Sequence, residues 1–155
     1  MKVGIIVYSK TGNTYSAAEK LQEALENAGH SANIERIEVI DEKQTDINKI
    51  QIQSNPNLEK YDAIVFGAPV NAFSLCPAMN AYMSQINPLG DKKIACFVTK
   101  GLPFASTGGN QAIGQMKKIC ESKGGNISGS GVIVWNKDRE KQITKIAEEL
   151  SNLFR

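Results

Sequence analysis

The chain alternates short apolar runs with stretches of helical period. Val3-Gly4-Ile5-Ile6-Val7 is apolar or small at every position and largely β-branched, the pattern of a strand buried on both faces. After a polar gap, Ala17, Ala18, Leu21, Leu25 and Ala28 recur three and four residues apart, predicting an amphipathic helix ended by Gly29. A second strand is expected over Ser31 to Val39, with Ala32, Ile34 and Ile37 as its apolar members. Ala63 to Gly67 reads as a third strand, Ile94 to Val98 as a fourth and Gly131 to Trp135 as a fifth. Met79, Tyr82, Met83 and Ile86 give the helix between strands three and four one apolar face, with Pro77 suited to its first turn. Ile113, Met116, Ile119 and Cys120 line the next helix; Ile143, Ile146, Ala147, Leu150 and Leu153 line the last. Residues 40 to 60 are polar. A short helix over Asp46 to Gln51 is the one element expected there, and Asn55-Pro56-Asn57 should break any longer one.

Strands alternating with helices imply βαβ units, a parallel sheet and an α/β fold class, with right-handed crossovers placing helices on both faces. In such sheets ligands bind beyond the carboxyl ends of the strands, where the strand order reverses. Three loops leave those ends with chemistry in them: 9–14, 68–76 and 99–109.

Bulk properties narrow the class of protein. The chain has 155 residues, with 41% hydrophobic and 22% charged residues, enough for a sizeable core and read as one domain over 1–155. A net charge of +2, with no block of like charge, gives no case for a nucleic acid or an acidic membrane surface. Cys76, Cys96 and Cys120 are widely spaced and His30 is the single histidine, so no metal-ligand spacing or CxxC pair occurs. No run approaches the roughly 20 apolar residues of a membrane span, and Val3–Val7 is too short for a signal-peptide core. A reduced, cytoplasmic protein is the expectation.

The loop Ser9-Lys10-Thr11-Gly12-Asn13-Thr14 lies between the first strand and the first helix. A helix N-terminus leaves backbone N–H groups unpaired and carries partial positive charge. Gly12 allows close approach of a ligand, and Ser9, Thr11 and Thr14 add hydroxyls, so the loop reads as a neutral phosphate cage. The bland alternative is an N-cap by Thr11 or Asn13. A nucleotide-binding P-loop would need Gly-Lys, a cysteine-dependent phosphatase a thiol, and a phospho-acceptor receiver domain carboxylates at the ends of strands one and three. None of these is present in this stretch.

Ser-x-Thr-Gly-Asn-Thr after a first strand closely resembles the FMN phosphate loop of the flavodoxin family. Asp62 to Met83, "DAIVFGAPVNAFSLCPAMNAYM", and Cys96 to Lys118, "CFVTKGLPFASTGGNQAIGQMKK", are similar to that family's third strand with first flavin loop and fourth strand with second flavin loop. The resemblance implies a three-layer α/β/α sandwich with a five-stranded parallel sheet in the order 2-1-3-4-5, and FMN as cofactor. It places the phosphate at Ser9, Lys10, Thr11, Gly12, Asn13 and Thr14. Pro69, Val70, Asn71, Ala72 and Phe73 would run along one side of the isoalloxazine; Thr99, Lys100, Gly101, Leu102, Pro103 and Phe104 would run along the other. Phe73 and Phe104 are the candidate ring contacts, since aromatic faces stack on a flat heterocycle. Gly108 and Gly109 would allow a tight start to the following helix.

The pattern departs from the acidic, low-potential members of that family. Residues 68–76 hold neither a carboxylate nor a glycine, 99–109 hold Lys100 and no acid, and Lys10 sits in the phosphate loop. An anionic reduced flavin is destabilised beside carboxylates and stabilised beside lysines, so the last one-electron step of reduction is expected at a less negative potential. The resemblance then leaves a flavin redox protein with no catalytic side chain of its own. It is read first as a carrier between protein partners. The alternatives are an NAD(P)H-dependent flavin or quinone reductase acting on a small-molecule acceptor, and a redox-silent phospholigand-binding module. Cys76 before Pro77 reads as a small buried thiol and Trp135 as a cap on the core. His30 reads as a surface residue, and Asp138 and Glu140 as a solvated helix start.

Overall fold

A computed structural model describes residues 1–54, 56–71, 73–101 and 108–154. Its elements are β1 (Lys2–Val7), α1 (Asn13–Asn27), β2 (Ser31–Arg36), β3 (Glu38–Val39), a 3₁₀ turn (Ile47–Lys49), β4 (Ile52–Ser54), β5 (Ala63–Asn71), β6 (Ser74–Leu75), α2 (Pro77–Gln85), β7 (Lys93–Lys100), α3 (Gly109–Ser122), β8 (Ile127–Val134) and α4 (Arg139–Leu153). The five long strands run in the order β2-β1-β5-β7-β8, all parallel, with β6 folded back antiparallel on the end of β5. Counting long strands alone, this is the expected 2-1-3-4-5 order.

The sheet divides the core in two. On one face Val3, Ile5 and Val7 of β1 pack with Ala17, Ala18, Leu21 and Leu25 of α1 and with Ile143, Ala147 and Leu150 of α4. On the other, Ile6, Ile64, Phe66 and Cys96 pack with Met79 and Met83 of α2 and with Ile113, Met116 and Cys120 of α3. Alternate residues of one strand feed opposite layers, so β1 and β5 must be apolar throughout.

The second strand ends at Arg36, earlier than expected. Glu38–Val39 instead pairs antiparallel with Ile52–Ser54, a two-stranded ribbon across the α2 side that the polar composition of residues 40 to 60 concealed. The expected helix at 46–51 shrinks to the 3₁₀ turn, begun by Asp46 accepting from the Asn48 N–H at 3.0 Å. The fifth strand starts at Ile127, four residues before the apolar run. Its early half is Ser- and Gly-rich because α4 presses on it: a side chain at Gly129 would meet Leu150 and Leu153, and one at Gly131 would meet Ile146.

His30 departs from its expected surface place. It is half-buried, its ring edge-on to Phe154 at 6.4 Å, and both ring nitrogens lie out of water without a partner among the described residues. Trp135 is half-buried against the α1/α4 core with the Arg139 guanidinium 5.3 Å over its ring, and Asp138 and Glu140 are exposed as read. Among the described residues no helix is long and apolar enough to cross a membrane, and no cluster of three or more potential metal ligands occurs.

Candidate functional site

Every sheet-end loop with candidate chemistry emerges at the carboxyl edge of β1, β5 and β7. The break between β1 and α1 is governed by Gly12, the residue before the helix, at φ 94° in the left-handed region where glycine alone is unstrained. Neither Thr11 nor Asn13 caps the helix. Ser9 takes that part: its Oγ accepts from the Gly12 N–H at 3.1 Å and the Tyr15 N–H at 3.2 Å. The N–H groups of Thr11, Asn13 and Thr14 then have no partner among the described residues. A Cβ on Gly12 would meet nothing within 4 Å, so the approach to these donors is open. The mouth of α1 is a set of unfilled N–H groups at the positive end of a 15-residue helix with no acid in its first turn, which suits a phosphate. Ser9 still has its own proton to donate, because both its bonds are accepted.

Thr14 and Thr99 carry a relation the sequence does not display. Both are buried, at 1% and 3% exposure, and their hydroxyls are hydrogen-bonded to each other at 2.8 Å across 85 residues. Thr99, assigned by resemblance to the flank of the flavin, therefore ties the end of β7 to the first turn of α1. One proton is used in the pair and one hydroxyl stays free to donate.

The first flavin loop is not a loop for most of its length. β5 continues through Pro69, Val70 and Asn71, and Val70 and Asn71 pair with Leu75 and Ser74 in a hairpin. Phe73, at the hairpin turn, has φ 65°, the single non-glycine residue with positive φ among the described residues, and it is 59% exposed. Its backbone lies on Gly108, where any Cβ would collide with it; Gly108 itself has φ 101° and opens α3. Leu75 donates its N–H to the Gln115 Oε1 at 2.7 Å, pinning the hairpin to α3. Gln115 escaped the sequence reading because it is a polar residue in an ordinary helix. Cys76 is the buried thiol expected: burial pushes its pKa up to about 12, so it is no nucleophile. Lys100 is half-buried, its stem beside Gly109, and Gly101 is exposed. Ala72, Leu102, Pro103 and Phe104 lie outside the described residues.

The mouth of α1, the hairpin and the Thr99 end of β7 thus meet at the switch point between β1 and β5, where crossovers leave in opposite directions. The family model described as a flavodoxin domain matches residues 4–133. This chain belongs to the flavodoxin domain family. The cofactor of that family is FMN, and the open donors at the mouth of α1 fit its phosphate. The chain is accordingly a flavin-binding redox protein.

Solved relatives show the same fold. Flavodoxin 2 from Bacillus cereus aligns over 99% of this chain and 100% of its own, at 17% identity and a TM-score of 0.71. The rubredoxin oxygen:oxidoreductase of Desulfovibrio gigas aligns over 98% of this chain but 35% of its own, at 15% identity and a TM-score of 0.64. In sequence, an NAD(P)H quinone oxidoreductase of Candida albicans is 35% identical over 89 residues, 50% of this chain and 30% of that protein. This chain therefore spans about a third of the length of that curated relative.

Proposed function

We propose that this protein carries electrons between redox partner proteins through FMN held noncovalently at the carboxyl edge of the sheet. The observation that supports this most is the mouth of α1, with unfilled N–H groups around a left-handed Gly12 and the Ser9 hydroxyl beside them. Ser9, Lys10, Thr11, Gly12, Asn13 and Thr14 would hold the phosphate. Pro69 to Phe73 on one side and Thr99 to Phe104 on the other would border the ring system, with Gly108 letting the hairpin close down on α3. Bound flavin supplies the redox chemistry; the protein's part is to bind, orient and partly shield it.

A second reading, an NAD(P)H-dependent quinone reductase, is favoured by the likeness to the Candida albicans protein. FMN-loaded protein mixed with NADH or NADPH and a quinone separates the two. A carrier should be nearly inert without a reductase; steady turnover would move the assignment to the second reading. Apoprotein that leaves the fluorescence of added FMN unquenched would remove both and favour a redox-silent phospholigand module.

A further inference from the structure

The hairpin at the end of β5 is too short to hold itself. Two residue pairs close it, Val70 with Leu75 and Asn71 with Ser74, and its turn includes Phe73 at φ 65°, a conformation that residues with a side chain rarely keep. An isolated two-stranded hairpin is marginal in water even when its turn is relaxed. The support comes from α3, which packs on β6. Gly108, Ala112 and Gln115 stand four and three residues apart, along one face of that helix. The Phe73 backbone lies on Gly108, and Ala112 is small and buried in the same core as Leu75. Gln115 is the member of the three that bonds: Leu75, 3% exposed, donates its N–H to the Gln115 Oε1 at 2.7 Å.

A buried N–H without an acceptor is costly, and an apolar side chain at position 115 would fill the space yet leave that group unmet. The side-chain carbonyl of Gln115 does for β6 what a neighbouring strand would do. It stands about two turns beyond Gly108, so α3 holds the hairpin at its turn and again at its returning strand. The mouth of α1 has a tie of its own, the Thr14–Thr99 hydroxyl pair. We infer that Gln115 is a positioning residue for the flavin ring: by bonding Leu75 it keeps Val70, Asn71 and Phe73 arranged to border the ring before any flavin arrives. This role rests on the flavin reading proposed above. A wall already in place costs no ordering on binding, whereas a loose one lowers the apparent affinity by the fraction of molecules that hold it in place. The effect falls on the ring and not on the phosphate, so flavins with and without a phosphate feel it equally.

Two variants test this. Gln115→Met keeps the length and the helix propensity but loses the acceptor; Gln115→Glu keeps all three. Amide hydrogen exchange of the apoprotein and fluorescence-quenching Kd values for FMN and riboflavin are measured on each. In Gln115→Met the Leu75 amide should exchange faster, and both flavins should weaken by the same factor, about three- to tenfold, one net hydrogen bond. Gln115→Glu should restore Leu75 protection and riboflavin affinity; riboflavin is uncharged, so the added carboxylate leaves that comparison undisturbed. Unchanged Leu75 exchange or unchanged affinities in Gln115→Met would overturn the proposal. So would a loss confined to FMN, or a loss of riboflavin affinity that Gln115→Glu does not restore. Wild-type protein that quenches neither flavin would overturn the flavin reading and the role of Gln115 with it, a result read before any substitution is made and so distinct from the others.

Discussion

The two segments that leave the sheet at β1 and β5 solve opposite problems. Between Ser9 and Thr14 the chain keeps its backbone donors unfilled: Gly12 turns left-handed and Ser9 caps two N–H groups while others stay open. At Val70, Asn71, Ser74 and Leu75 the chain instead pairs its backbone, by extending β5, folding it back as β6 and tying Leu75 to Gln115. The first segment is poised for a ligand; the second is a wall that holds its shape without one. In each a residue sits at positive φ, but in the cage it is a glycine at no cost and in the wall it is Phe73.

That contrast can be broken most severely at its two hinges. Gly108→Ala should drive a Cβ into the Phe73 backbone at φ 101° and lower stability by about 3 kcal/mol, the sum of strain and overpacking, read from urea denaturation. Gly12→Val should cost less, about 1–2 kcal/mol from left-handed strain alone because a side chain there meets nothing, and weaken FMN by about a hundredfold through an obstructed approach. FMN fluorescence quenching would measure it. Equal losses of stability in both variants would erase the distinction between an open cage and a packed wall.

Thr99→Val should cost about 1–2 kcal/mol in stability, because Thr14 loses its buried partner. If the pair sets the direction of the Thr14 hydroxyl, FMN should weaken about tenfold while riboflavin, lacking the phosphate, is unaffected, and Thr99→Ser should restore FMN. A parallel loss of both ligands would reduce the pair to a strut. Phe73→Gly should stabilise the protein by up to about 1 kcal/mol by relieving the positive φ, and weaken FMN if the ring stacks on it.

A smaller effect is spread through the core. Burial pushes the Cys76, Cys96 and Cys120 thiols up to about 12 from an ordinary 9.0. The unfolded chain releases these protons first, so the stability they contribute is complete below pH 9 and declines as pH rises toward 12. Urea midpoints measured across that window should fall, and Cys96→Ala should flatten the decline.

The loop proposed to hold phosphate was legible as a strand-to-helix break because its parts are consecutive: a strand end, three hydroxyls, a glycine and a helix start occupy seven residues. Its cap was not, since choosing Ser9 over Thr11 or Asn13 depends on how the backbone turns at Gly12. The Thr14–Thr99 pair joins residues that only strand pairing brings together. The β3–β4 ribbon escaped notice because its apolar members are few and its alternation short. Strand eight looked half its length because the glycines that admit α4 carry no hydrophobic signal.

By itself the sequence determined the α/β class, the number of long strands, four of the helices and the position of the break between β1 and α1, because hydrophobic period and turn chemistry are local properties. Strand order came with the family resemblance rather than from the pattern. Tertiary structure alone decided that Thr99 faces Thr14, that the hairpin closes on Gly108, and that Tyr8 packs into the layer opposite α1. Those are distances between residues remote in the chain, fixed when both faces of the sheet are covered at once, and no local pattern encodes them.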